Sequence, residues 1–440
     1  MTASLAPPAA SHPPRHAAWW RPVACLARLA RRRLHALLRR WLGQCLGRCL
    51  GYWPDVAAFS GALLCAVLAA VLTGLLGGCG GGVGSEGTGS YASGTITGYG
   101  SIIVNGVRYD ESAAQVQDDD GQTLARSALA LGMVVQISAG PISTSADGSA
   151  HAAASSVRAQ RALVGPVSAI QAGTARLTVL GQTAQIDADT VFDERLAGGL
   201  AALAVGQWLE VYGFYDSTSA RFVATRVAPS AASVGSRVSG PVMALDAQAK
   251  TFTLGSQTYN FANLGQAPAA GALVTLKLQA APDGLGRWVV NAQQAGQAVP
   301  QDRDGAGLDG LVTAVLSASR FVVDGVTVDS SAARVSGVVQ VGAKVEVSGT
   351  LRGGVLQASE VEATSGKVKS FELNGSLASL DTASRRFVLR GTTVSYAAAS
   401  VAFVNGSAAR LVGYAGKLKV QGVLSADRTL LEATRIQFED

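Results

Sequence analysis

The chain has 440 residues, more than one ordinary domain holds, so two or more folded units are expected. Its formal charge of +6 comes from one end: residues 1–56 carry nine arginines against Asp55 alone, and the rest carries 27 basic and 29 acidic residues. A net of −2 over the folded part excludes the positive groove that nucleic-acid binding needs. All five cysteines (Cys25, Cys45, Cys49, Cys65 and Cys79) lie in the first 79 residues. Residues 80–440 therefore offer no disulfide, thiolate nucleophile or cysteine metal site.

Residues 1–56 form a basic leader. Its middle repeats apolar residues at helical spacing (Leu26, Leu29, Leu34, Leu37, Trp41, Cys45, Cys49). That pattern suits a basic amphipathic helix on anionic lipid; an over-extended start is the simpler reading. Residues 57–78, AAFSGALLCAVLAAVLTGLLGG, are 22 uncharged residues behind arginines and end in small ones, as a signal peptide does. Such a run is also long enough for a plain transmembrane anchor. Leu76-Gly77-Gly78-Cys79 resembles the lipobox of bacterial lipoproteins. The resemblance implies cleavage after Gly78 and a lipid on Cys79, which makes the membrane a partner. Residues 79–91 then form a glycine-rich tether. Whether anchored by lipid or by a span, residues 80–440 are expected outside the cytoplasm. Gly80 behind the cysteine, where aspartate is absent, points the lipoprotein resemblance to the outer membrane, facing periplasm or cell surface.

Beyond residue 92 the chain repeats. Glycines 94, 165, 240, 310 and 375 open five copies, each continuing with an alternating strand, a turn, a Val-, Leu- and Phe-rich strand, a glycine turn and a third strand. A glycine-led strand (GMVVQIS, GQWLEVYG, GALVTLKL, GAKVEVSG, GKLKVQG) and a short closing strand complete each copy. Period-two alternation with β-branched enrichment predicts an all-β fold. The expected architecture is a tandem array of about five small OB- or SH3-like barrels, spanning 92–160, 161–230, 235–298, 306–366 and 371–438. Closure removes exposed edges. Units of about 65 residues are near the lower limit for independent folding, so packing between neighbouring copies is expected to help.

The segments GTITGYGSIIVNGVRYD and GMVV of the first copy, and GPVSAI, TVLGQTAQIDADTVFD, VGQWLEVYGF and FVATRV of the second, are similar to the bacterial domain-of-unknown-function family DUF5666. The likeness spans about residues 92–438 and is looser in copies three and five. It implies a small-barrel array on a lipid tether and no assigned chemistry.

Candidate sites are few. Asp118-Asp119-Asp120-Gly121 and the run with Asp302, Asp304 and Asp309 contain D-x-D-G fragments of calcium loops. The distal carboxylates are missing, so solvated turns are expected and no metal or cofactor is assigned. Strand-end Asp110, Asp187 and Asp329 read as turn formers, and His151 lies in a small-residue segment. No nucleophile, base and orienting acid recur together, so the expectation is no enzyme. OB-like barrels bind saccharides through one face, and aromatic contacts are sought at Tyr99, Tyr109, Trp208, Tyr212, Tyr215 and Trp288. The expected function is a lipid-anchored, non-enzymatic cell-envelope protein whose barrels bind a glycan or a partner protein. The alternative is an envelope hydrolase with its site in one repeat.

Overall fold

The computed structural model describes residues 89–294, 299–364 and 369–439. The leader, the apolar segment, Gly78 and Cys79 lie outside the described residues. Within those residues the chain is all-β, and its only helices are short 3-10 turns.

Residues 163–229 show the unit most plainly. Strands Leu163–Gln171, Arg176–Val179, Gln182–Phe192, Trp208–Asp216 and Arg221–Pro229 pair first to second, second to third, third to fifth, fifth to fourth and fourth back to first. All neighbours are antiparallel except the third and fifth, which are parallel. A second closed barrel, Arg303–Ser317, Arg320–Val323, Val326–Asp329, Lys344–Arg352 and Val355–Ala363, repeats this order. The same ladder order runs through residues 90–159, 237–294 and 371–439. In the first and third copies the opening strand is interrupted, at residues 96–97 and at Val242.

The repeated glycines have structural reasons. Gly94, Gly165, Gly240, Gly310 and Gly375 all lie on the first strand, opposite Val135, Leu209, Val274, Val345 and Leu418 of the fourth. At Gly165 a Cβ would sit 2.7 Å from the Leu180 side chain, so glycine lets the second hairpin fold over the strand. A later glycine marks a bulge in strand four: the register shifts at Gly213, Gly349 and Gly422. At Gly349 a Cβ would overlap the Gln357 carbonyl oxygen. Bulges bend a strand sharply, which lets a short sheet close.

The copies do not behave as beads. Copies one and five share one apolar core, which also takes in Tyr212 and Phe214 of copy two. Copies two and three share another, and copy four has a core of its own plus Tyr91. Backbone ladders cross between copies far apart in sequence. Residues 90–93 pair in parallel with 305–308, and residues 98–99 pair in parallel with 372–373. The packing expected between sequence neighbours is present between copies two and three, and in addition copy one pairs with copies four and five, which are distant in sequence. Free strand edges are the physical reason, because an unpaired row of N–H and C=O groups pairs with any edge presented to it.

Candidate functional site

The strand-end carboxylates are turn formers. Asp110, Asp187 and Asp329 accept from the backbone N–H two residues on, at 3.0, 2.9 and 3.1 Å, and Asn260 does the same at 2.8 Å in copy three. These oxygens are committed to backbone. His151 is exposed on strand Ala150–Ala159, with Nδ1 3.0 Å from the Ser145 hydroxyl.

The aspartate run of copy one departs from expectation. Asp119 is buried, and its carboxylate meets Arg161 Nε at 2.9 Å and Arg237 at 2.8 Å. Asp118 meets Arg161 at 3.0 Å, while Asp120 pairs with Lys277 at 2.7 Å and with Arg237. The run is thus a buried seam joining copies one, two and three, in place of a solvated turn. Burial alone would raise Asp120, but the Lys277 ammonium and Arg237 guanidinium bring it below the usual carboxylate range. The three carboxylates are close enough to share a metal ion, yet guanidinium and ammonium groups already balance them.

The second run splits. Asp304 is exposed and pairs with Arg352 at 3.0 Å, whereas Asp309 is buried against Lys369 at 2.9 Å. Beside it, at a hairpin tip, stands Asp324, pushed up to about 6 by burial and by the Asp309 charge.

The aromatic candidates are mostly core. Tyr109 is 1 % exposed and Tyr215 packs edge-on against Phe222, which completes barrel interiors and leaves no face to stack a ligand. Trp208 and Trp288 are half-buried, Trp288 against the core of copies two and three. Tyr99 and Tyr212 are also too buried to stack a sugar, at 6 % and 2 % exposed. The Tyr99 hydroxyl donates to the Leu129 carbonyl at 2.8 Å. Yet these two tyrosines, far apart in sequence, meet at the wall of one cavity.

That cavity, of about 500 Å³, lies where copies one, two and five meet. Its size falls within the roughly 300–1,000 Å³ typical of small-molecule sites. Residues 127–131 of copy one, residues 191–195 of copy two and residues 390–392 and 428–430 of copy five line it. Five arginines (Arg161, Arg195, Arg226, Arg390, Arg428) face four carboxyls (Asp118, Asp193, Glu194, Glu210). Asp193 is engaged by Arg226 at 2.5 Å and Arg195 at 2.7 Å. Among the described residues Glu210 has a long contact to Arg161, 3.9 Å, and the Tyr212 hydroxyl at 3.5 Å. Burial raises both Glu194 and Glu210 above the usual range, with Asp193 adding to Glu194. Sequence reading missed this site because its polar residues come from three copies and occur together in no one of them.

Residues 164–228 and 309–362 match the family model DUF5666, a domain of unknown function. These two DUF5666 domains are the barrels of copies two and four, and the former supplies Glu194, Glu210 and Tyr212 to the cavity. No curated protein matches the chain.

Proposed function

We propose that this protein is a non-enzymatic binding protein of the bacterial cell envelope, an array of five diverged OB-like barrels tethered through a lipid on Cys79. In this reading its outer-membrane anchor leaves the array facing periplasm or cell surface, and the cavity between copies one, two and five takes a glycan. The observation that carries the reading is the cavity's lining: paired guanidinium and carboxyl groups with tyrosine edges, at a volume suited to one or two sugar rings. Such groups exchange hydrogen bonds with sugar hydroxyls as well as they do with water, so a polyhydroxylated ligand loses little on entry. A partner protein would need a broad surface, and this site is concave.

The test is a glycan array probed with the full chain in detergent and with Ser127→Trp, which blocks the exposed mouth. Retention of a saccharide by the wild type and its loss, by 10-fold or more, in Ser127→Trp is expected. No retained glycan, or equal retention by both, rejects the reading. One observation favours the hydrolase alternative: two carboxyls held above their usual range line the same cavity, as an acid–base pair would require. Release of reducing ends that disappears in Glu210→Gln would establish it.

A further inference from the structure

Building on the glycan reading, we propose that the cavity selects an acidic saccharide, and that Arg390 reads its carboxylate. Arg390 stands at the tip of the second hairpin of copy five, with left-handed backbone (φ 49°) before Gly391 (φ 78°). The equivalent tip residue is Asn105 in copy one and Leu180 in copy two. Asn105 donates to the Ser93 carbonyl at 3.2 Å, and Leu180 is buried in the core. Arg390 is exposed and makes no hydrogen bond or ion pair among the described residues. It lines not only the large cavity but two further depressions of about 400 and 390 Å³, so a ligand that extends from the cavity into either has Arg390 beside it.

A second observation lies deeper. Arg226 is 7 % exposed, and its two terminal nitrogens are bonded to Asp193 and to the Leu131 carbonyl. Its Nε–H has no partner among the described residues. That nitrogen has almost no accessible surface, so Arg226 acts on a ligand through its guanidinium charge at the cavity wall and not as a direct Nε donor. The charge balance points the same way. Five guanidiniums face four carboxyls in the lining, an excess of one positive group. The cavity therefore leans positive, and a planar carboxylate suits a guanidinium fork.

The experiment is calorimetric titration of the full chain in detergent with trigalacturonate and with its fully methyl-esterified form, which has the same skeleton without charge. Inorganic phosphate serves as a third probe. Tighter binding of the acid by about 10- to 100-fold is expected. Arg390→Ala should bring the acid's affinity down to that of the ester measured on the same variant, and Arg390→Lys should restore part of the difference. Equal affinity for acid and ester, or an acid preference that survives Arg390→Ala, overturns the carboxylate assignment and leaves the glycan reading standing. Phosphate bound more tightly than the uronate also overturns it, in favour of a phosphorylated ligand. If neither sugar binds, this inference and the glycan reading for this skeleton fail together, and the array result then decides the latter separately.

Discussion

The two DUF5666 barrels have the same strand order and the same glycine bulge, yet they stand in the molecule differently. Residues 303–363 close around a core of their own, to which Tyr91 and Val299 are added from outside among the described residues, while Leu311 joins the core of copies one and five. Residues 163–229 share a core with copy three. Gln182 of copy two donates to the Leu254 carbonyl at 2.8 Å, and Tyr259 of copy three donates to the Leu180 carbonyl at 3.0 Å. The difference teaches that closure of a ladder does not make an independent domain. The apolar area outside the barrel, and the polar groups pinned to a neighbour, decide whether one copy survives alone.

The largest effect that could break this comparison is excision. Residues 301–364 should fold alone and melt cooperatively, whereas residues 161–230 should be unfolded or aggregated, as measured by circular dichroism and amide exchange. Two equally stable fragments would show that the shared core is incidental.

The seam comes next. Asp119→Ala removes the buried carboxylate that Arg161 and Arg237 share, leaving them Asp118 and Asp120 alone, and should cost about 3 kcal/mol by urea denaturation. A loss under about 1 kcal/mol would mean that the seam is solvated. A smaller change of opposite sign is expected at Asp324. Its folded-state value of about 6 lies above the ordinary 3.8, so the folded form holds a proton that the unfolded chain releases. Stability therefore falls as pH rises between these values and stays lower above them. Asp324→Asn should stabilise copy four by on the order of 2 kcal/mol at pH 8 and hardly at all at pH 3.5. A stabilisation independent of pH would reject the charge argument. Smallest of all, Asp304→Ala removes an exposed pair with Arg352 and should cost less than about 1 kcal/mol. Set against Asp119, it measures what burial adds to the same residue type in similar sequence.

Much of the unit was legible from the residues. Alternation in GAKVEVSG places Val345 and Val347 inside barrel four, and the opening and turn glycines stand where backbone crowding or positive φ requires them. The aspartate run and the tyrosines were not legible. Asp118–Asp120 and Asp302–Asp304 look alike as sequence, and only the approach of Arg161, Arg237 and Lys277 distinguishes them. Tyr99 and Tyr109 fit core and ligand face equally well until the barrel is closed around them.

By itself the sequence determined period, repeat and turn, because strand alternation and glycine conformations are local properties that a few neighbouring residues impose. The tertiary structure alone decided which copies share a core, which carboxylates are buried, and that Tyr99, Tyr212, Glu210 and Arg390 line one cavity. Those outcomes depend on contacts between residues up to about three hundred positions apart, and such pairings leave no periodicity in the chain to read.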